Sequence, residues 1–411
     1  MKKRRVVVTG ISAVTSIGIG KDEFWRNLIS GKSGISKVDA FDTSKHFNHY
    51  GGQIRNFKPD DFLDKRKVKL MGRASHFAIA ATKLAFKDSK LFIEKFDSEK
   101  IAVIIGTTGG EAQEIEKMDA IWVSKGKDAV NGLSVAQYPV SNISSNIAME
   151  FKIKGINRIF TTACAAGNYA IGHGFDLIQL NKADMVIAGG SDAFSYISFT
   201  GFSQLSAMAQ EKCQPFDKNR KGMLIGEGAA ILILETLESA LKRKAPIYAE
   251  ILDYGLSCDA THMTNPNIEG ITECMQNALC RTDLLVQEID YISAHGTGTK
   301  NNDKAECAAI KKIFGERRIA VSSIKSMLGH CMGAASAIEA VSCCLVIQNS
   351  IIPPTINYET LDPECDIDCV PNKARKQTVN IVLNNAFAFG GNNSCVIFKK
   401  CSFSALEATS S

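Results

Sequence analysis

None of the 13 cysteines in this 411-residue sequence forms a CxxC pair, and two of them, Cys343 and Cys344, are adjacent. That scatter and the odd count argue against a disulfide framework and fit a reducing cytoplasm. Charge of one sign is also scarce. The balance of 48 Lys and Arg against 43 Asp and Glu leaves +5, too mild to imply nucleic acid. No apolar run approaches the ~20 residues of a membrane span. The opening MKKRRVVVTGISAVTSIGIG is basic and then apolar, as a signal peptide would be. However, Thr9, Gly10, Ser12, Thr15 and Ser16 interrupt it and no A-x-A site follows. It reads as a first buried strand, and the chain is expected to be soluble.

Nucleotide and hydrolase signatures are missing as well. After VVVTG, Gly10 is followed by no glycine until Gly18, so backbone cannot approach a pyrophosphate as a dinucleotide fold requires. There is no Y-x-x-x-K pair and no GxxxxGK[ST]. GGSDA at 189–193 resembles a nucleophile elbow without its final glycine.

What the sequence has is a series of short Val/Ile-rich runs, at 6–8, 101–105, 185–188, 230–234, 289–294, 319–322 and 379–383. Each is followed by small or glycine-rich turns and then a helical pattern. Continuous apolar strands alternating with helices predict an α/β fold with sheets covered on both faces. The runs 379–386 and 393–400 flank FAFGGN and predict a hairpin with a wide loop. Near residue 245 the basic LKRKAP precedes a fresh strand, IYAEILDYG, which predicts two halves, 1–245 and 246–411. No convincing sequence repeat relates them. The final SALEATSS reads as a frayed tail.

Four segments place reactive side chains just beyond strand-like runs. In RIFTTACAAGNYAIGHG, Cys164 stands before a glycine-rich helical pattern. A buried thiol packing as a small hydrophobe is the bland reading. A nucleophile at a helix start, where the dipole favours thiolate, is the sharper one. His295 follows the run 289–294 in SAHGTGT, with Thr297 and Thr299 beside it; taken alone, such a histidine is more often structural. Lys325 and His330 share the loop KSMLGH, and Phe389, Gly390 and Gly391 lie in FAFGGNN. One thiol, two histidines and a lysine without metal-type spacing suit carbon–carbon bond formation on thioesters. The thiolate takes an acyl group, and two neutral imidazoles can donate hydrogen bonds to an enolate oxygen.

With TACAAG, GEGAA, DATHMT, AHGTGT, KSMLGH, GAASAIEA and FAFGGNN in this order, the chain resembles the elongating β-ketoacyl-acyl-carrier-protein synthases, the ketosynthases of fatty acid and type II polyketide synthesis. The resemblance runs from RRVVVTG to SCVIFKK. It implies a thiolase-like αβαβα sandwich of two related halves, usually dimeric. It implies that Cys164 accepts the acyl chain, and that His295 and His330 drive malonyl decarboxylation. Lys325 would order the site through acidic partners, matched by Glu306 and Asp303, with Glu339 a further supporting residue. Phe389 would gate the acyl pocket, and its N–H with that of Cys164 would form an oxyanion hole. Thr297, Thr299, Thr264, Thr108, Gly390 and Gly391 would hold the substrate or its phosphopantetheine arm. No metal and no enzyme-bound cofactor are expected. Biosynthetic thiolases, starter-condensing relatives and inactive chain-length factors each differ at one of these reactive positions.

Some features depart from the housekeeping pattern: Ala166 after TACA, a shortened SAMAQEKCQPFDKNRKG loop, Thr108 where a bulky residue often closes the pocket, and Asn392 in the terminal glycine motif. They make a specialised polyketide, such as a polyene, plausible beside fatty acid synthesis. The expected partners are an acyl carrier protein and a second ketosynthase chain, identical or chain-length-factor-like. The competing reading is a non-condensing, carrier-binding subunit. In DKRKVKLMGR, at 64–73, helical spacing gives a basic face over an apolar one. Lys65, Arg66 and Lys69 are expected to dock the acidic carrier protein.

Overall fold

In the computed structural model, residues 4–402 are described, so the tail expected to fray lies outside them. Ten principal strands follow in chain order: β1 (Val6–Thr15), β2 (Ile101–Gly106), β3 (Asn157–Phe160), β4 (Met185–Asp192) and β5 (Gly228–Thr236), then β6 (Ala249–Cys258), β7 (Tyr291–Ser293), β8 (Ala320–Ser322), β9 (Ile381–Phe387) and β10 (Asn392–Lys399). They join in the order β8-β7-β9-β10-β6-β1-β5-β4-β2-β3, and a two-residue strand, Gly18–Ile19, adds to β1.

Reading outward from the β1–β6 junction exposes a repeat that the residues conceal. The first half runs β1-β5-β4-β2-β3 and the second β6-β10-β9-β7-β8, so each position advances by five. Both halves pair antiparallel, antiparallel, parallel, parallel. The halves keep a common topology although their sequences no longer show it.

Alternation along the strands divides the core into layers. In β2, Ile101, Val103 and Ile105 face one apolar cluster, which includes Phe77 and Ala81 of α1 (Arg73–Asp88). Ala102 and Ile104 face another, which holds residues from both halves together with α2 (Ala166–Gln179) and α5 (Ala335–Asn349). In the second half, α3 (Ile268–Cys280) and α4 (Lys300–Phe314) cover the other outer face. The result is the layered α/β arrangement expected from the strand pattern.

α2 and α5 form the middle layer. α5 is buried on all sides from Ala335 to Ile347, as a helix that is apolar all round must be. By composition, Met332–Asn349 is long and apolar enough to span a membrane, contrary to the expectation that no stretch would be, yet 89% of it is buried inside the fold. Small residues let the two helices touch: a Cβ on Gly167 would lie 2.7 Å from Ala337 N. Both helices begin from a 3-10 turn, Ala163–Ala165 after β3 and Met332–Ala334 after β8, and each turn opens on a non-glycine residue at positive φ, Ala163 at 47° and Met332 at 51°. The predicted C-terminal hairpin is β9–β10, joined through Phe389–Gly391.

Candidate active site

The strand-to-helix elbow at Cys164 is a 3-10 turn, so α2 starts two residues later than a helix opening on the cysteine itself. Cys164 is 6% exposed. Burial pushes its thiol up to about 11, against the Lys325 charge and the N–H groups of Phe389 and Cys164, which pull the other way. The sequence context suggested a thiolate. In the fold, desolvation acts against the thiolate.

Cys164 Sγ and one ring nitrogen each from His295 and His330 lie within 4.8 Å of one another. The two imidazoles meet edge to face, centroids 5.4 Å apart at 80°. Burial holds both well below the ordinary histidine range, and the Lys325 charge adds to it. Both rings are therefore neutral at neutral pH. Met332 N–H donates to His330 Nδ1 at 3.2 Å, so the proton of the neutral ring sits on Nε2. That nitrogen is buried without a partner and can serve a ligand as donor. The same thiol and imidazoles are close enough to share a metal ion, but the Lys325 charge acting on all three opposes a cation there.

Lys325 is 1% exposed and donates from Nζ to Glu339 Oε1. Glu306 and Asp303, expected as its partners, do not make this pair; Glu339 does. Glu306 clamps the backbone at the first histidine, accepting from His295 N–H and Gly296 N–H at 2.8 Å each. Burial raises its carboxyl to about 7. Asp303 accepts from Phe216 N–H and Gly298 N–H and faces Arg220 at 3.5 Å. It stabilises the loop that carries Thr297 and Thr299.

A cavity of about 500 Å³ opens onto these groups, lined among others by Cys164, His295, His330, Thr264, Thr297, Thr299, Phe389 and Gly391. Thr297 and Thr299 hydroxyls lie 2.9 Å apart. Thr108 and Gly390 are not on its lining; Thr108 Oγ1 is buried and unpartnered. Phe389 packs on Phe202, centroids 5.6 Å apart, a neighbour that the sequence reading missed. Asp192, in GGSDA, is not marked by the sequence pattern either. Ser191 there is buried and donates to Ala74 O, which is no nucleophile's position. The useful signal was an acid ending a strand of small residues.

The basic segment is only partly available. Its helix spans Lys65–Val68, and Lys65, Arg66 and Lys69 are exposed. Lys67 is held by Glu150 at 2.6 Å, and Arg73 turns inward to Glu227 at 2.7 Å. The single basic face expected over 64–73 is therefore reduced.

The sequence matches the Beta-ketoacyl synthase N-terminal domain over residues 3–240 and the Beta-ketoacyl synthase C-terminal domain over residues 248–359. It is 40% identical to a 3-oxoacyl-[acyl-carrier-protein] synthase 2 of Synechocystis, with 97% of this chain and 99% of the relative covered. It is 38% identical to the Coxiella burnetii protein of the same name over the same shares. The fold is similar to that of the ishigamide ketosynthase/chain length factor, at TM-score 0.95 and 41% identity, covering 97% of this chain and 100% of that one. It is also similar to a ketosynthase structure that includes its type II polyketide acyl-carrier protein and a bound hexaketide, at TM-score 0.90 and 32% identity over the same shares.

Proposed function

The chain belongs to the beta-ketoacyl synthase family and is a β-ketoacyl-acyl-carrier-protein synthase, and we propose that Cys164, His295, His330 and Lys325 carry its decarboxylative Claisen condensation. The observation that carries this assignment is the meeting of the Cys164 thiol with two neutral imidazoles at one cavity. An acyl group passes from its carrier thioester to Cys164 Sγ, and the carrier leaves as a thiol, so the exchange is neutral in protons. The N–H groups of Cys164 and Phe389 face the sulfur and suit the oxyanion of that step.

In the second half-reaction a malonyl thioester loses carbon dioxide. His330 Nε2–H, with His295 opposite, donates to the enolate oxygen that forms. The enolate carbon then attacks the acyl carbonyl on Cys164, and the C–S bond breaks. Cys164 departs as thiolate and recovers a proton, leaving a chain two carbons longer on the carrier. Lys325, paired with Glu339, keeps positive charge close to both imidazoles and helps hold them neutral. No bound cofactor enters; the phosphopantetheine arm belongs to the substrate, beside Thr297, Thr299 and Thr264.

The acyl carrier protein is the macromolecular partner. A second ketosynthase-like chain, identical or chain-length-factor-like, is supported by the outer edge strand β3 and by the exposed Trp122, Val123, Leu133 and Val135. Thirteen free cysteines fit the cytoplasm. The division at residue 245 into two thiolase-like halves agrees with the repeated strand order. Ala166, Thr108 and Asn392 favour a specialised polyketide chain alongside fatty acid. A non-condensing role would not need the intact thiol, histidines and lysine. Intact-mass measurement after incubation with acyl carrier protein should show acylation lost in Cys164→Ala and kept in Cys331→Ala and Cys395→Ala. Undiminished loading of Cys164→Ala would refute the assignment.

A further inference from the structure

Asp192 ends β4 as a carboxylate 2% exposed, and among the described residues no lysine or arginine pairs with it. A buried carboxylate without a cation is costly unless its oxygens are satisfied by hydrogen bonds, and here they are. Oδ1 accepts from Thr107 Oγ1 at 2.8 Å and from Gly109 N–H at 2.9 Å; Oδ2 accepts from Thr108 N–H at 2.8 Å and from Gly333 N–H at 2.7 Å. Thr108 N–H also reaches Oδ1 at 3.1 Å. Burial raises the carboxyl to about 6, while these donors favour its ionised form.

The Gly333 bond crosses from one half of the molecule to the other. Gly333 belongs to the 3-10 turn Met332–Ala334, whose first residue sits at φ 51°. A non-glycine residue there is uncommon and persists because its surroundings hold it. Two successive N–H groups of the turn diverge: Met332 N–H goes to His330 Nδ1 and Gly333 N–H to Asp192 Oδ2. The backbone of His330 is fixed separately, its N–H donating to Leu224 O at 2.6 Å and its carbonyl accepting from Gly226 N–H at 2.9 Å. What remains for the turn to set is the imidazole's tautomer.

Resting on the reading of His330 as an enolate donor, we infer that Asp192 is a positioning residue for malonyl decarboxylation, anchoring the turn whose Met332 N–H keeps the His330 proton on Nε2. Asp192→Asn isolates this role. The amide has one acceptor oxygen, and placed at Oδ1 it keeps the Thr107 and Gly109 contacts and the longer Thr108 one at 3.1 Å, while the 2.8 Å Thr108 bond to Oδ2 is lost. The NH₂ group then meets Gly333 N–H, donor against donor, and the turn is released.

In the full-length enzyme, Asp192→Asn should slow decarboxylation of malonyl-carrier protein about 10- to 100-fold, less than loss of His330 itself. Acyl loading of Cys164 should stay within about threefold, since the Thr107 and Gly109 contacts and the longer Thr108 one remain. In a His330→Ala background the same substitution should cost less than about twofold more, because residues acting through one group are not additive. Equal loss of both half-reactions, no loss in a folded variant, or full additivity would overturn the inference. Should Asp192→Asn not fold, the measurement on the wild-type enzyme that follows decides the inference. ¹⁵N-histidine NMR of the wild-type enzyme must show His330 protonated at Nε2; protonation at Nδ1 would overturn the inference whatever the variants do. Failure of the underlying reading would look different: His330→Ala would itself decarboxylate normally.

Discussion

Lys325 and Glu339, 14 residues apart in the chain, form a buried ion pair, each 1% exposed. Removing one partner strands the other charge. Lys325→Ala should therefore destabilise the protein by about 3–5 kcal/mol in urea unfolding. Lys325→Met with Glu339→Leu should recover most of that stability but not decarboxylation. Recovery of both would show the pair to be a structural brace only.

The buried histidines give stability a sign with pH. Their native affinities for protons are held well below the ordinary value of 6.5, so below pH 6.5 the unfolded chain binds protons that the native rings refuse. Their contribution is complete above pH 6.5 and is lost as pH falls beneath it, at about 1 kcal/mol per ring per pH unit. Between pH 7.5 and 5.5 the wild type should lose about 2 kcal/mol more than the His295→Gln/His330→Gln variant. Identical losses would show that the rings take up protons in the native state.

Replacing either histidine with Ala should cut decarboxylation of malonyl-carrier protein by at least ~10²-fold, the loss typical of an oxyanion donor. Acyl loading should survive better. Single-turnover assays of the two half-reactions separate these effects, and equal losses would contradict the division of labour.

Phe389 lines the cavity, and the two glycines after it are tethered. Gly390 N–H is held by Met263 O at 2.8 Å, and Gly391 O accepts from Asp259 N–H at 2.9 Å. Both glycines sit at positive φ, 82° and 74°, where a side chain would be strained. Crystals with a long acyl chain on Cys164 should show the Phe389 ring withdrawn from Phe202. The same rotamer with the chain fully lodged would exclude a gate.

Carrier docking should respond to the exposed charges alone. Arg66→Glu with Lys69→Glu should raise KM for acyl carrier protein and weaken its salt dependence, with turnover of a small pantetheine thioester unchanged. Lys67→Glu should chiefly affect stability, because its partner Glu150 also holds Lys83 at 2.7 Å. Equal damage to both substrates from the first pair would assign the segment to the fold.

Much of the site was legible because its chemistry is local. A thiol, an imidazole or an aromatic that meets a ligand stands where a strand ends and glycine or alanine gives it space, and that leaves a readable spacing around Cys164, His295, His330 and Phe389. Apolar runs likewise announced the strands, since a strand covered on both faces needs apolar residues in succession. Tertiary structure decided what depends on distance and solvent. It chose Glu339 over Glu306 and Asp303 for Lys325, paired the exposed Lys67 with Glu150, turned Arg73 inward from the basic face, and joined the two halves through Gly333 and Asp192. It also pushed the Cys164 thiol up, because desolvation is a property of everything packed around a group. The residues named the reagents; the packing set their charge states and partners, because burial and long-range contacts exist only once the chain has closed on itself.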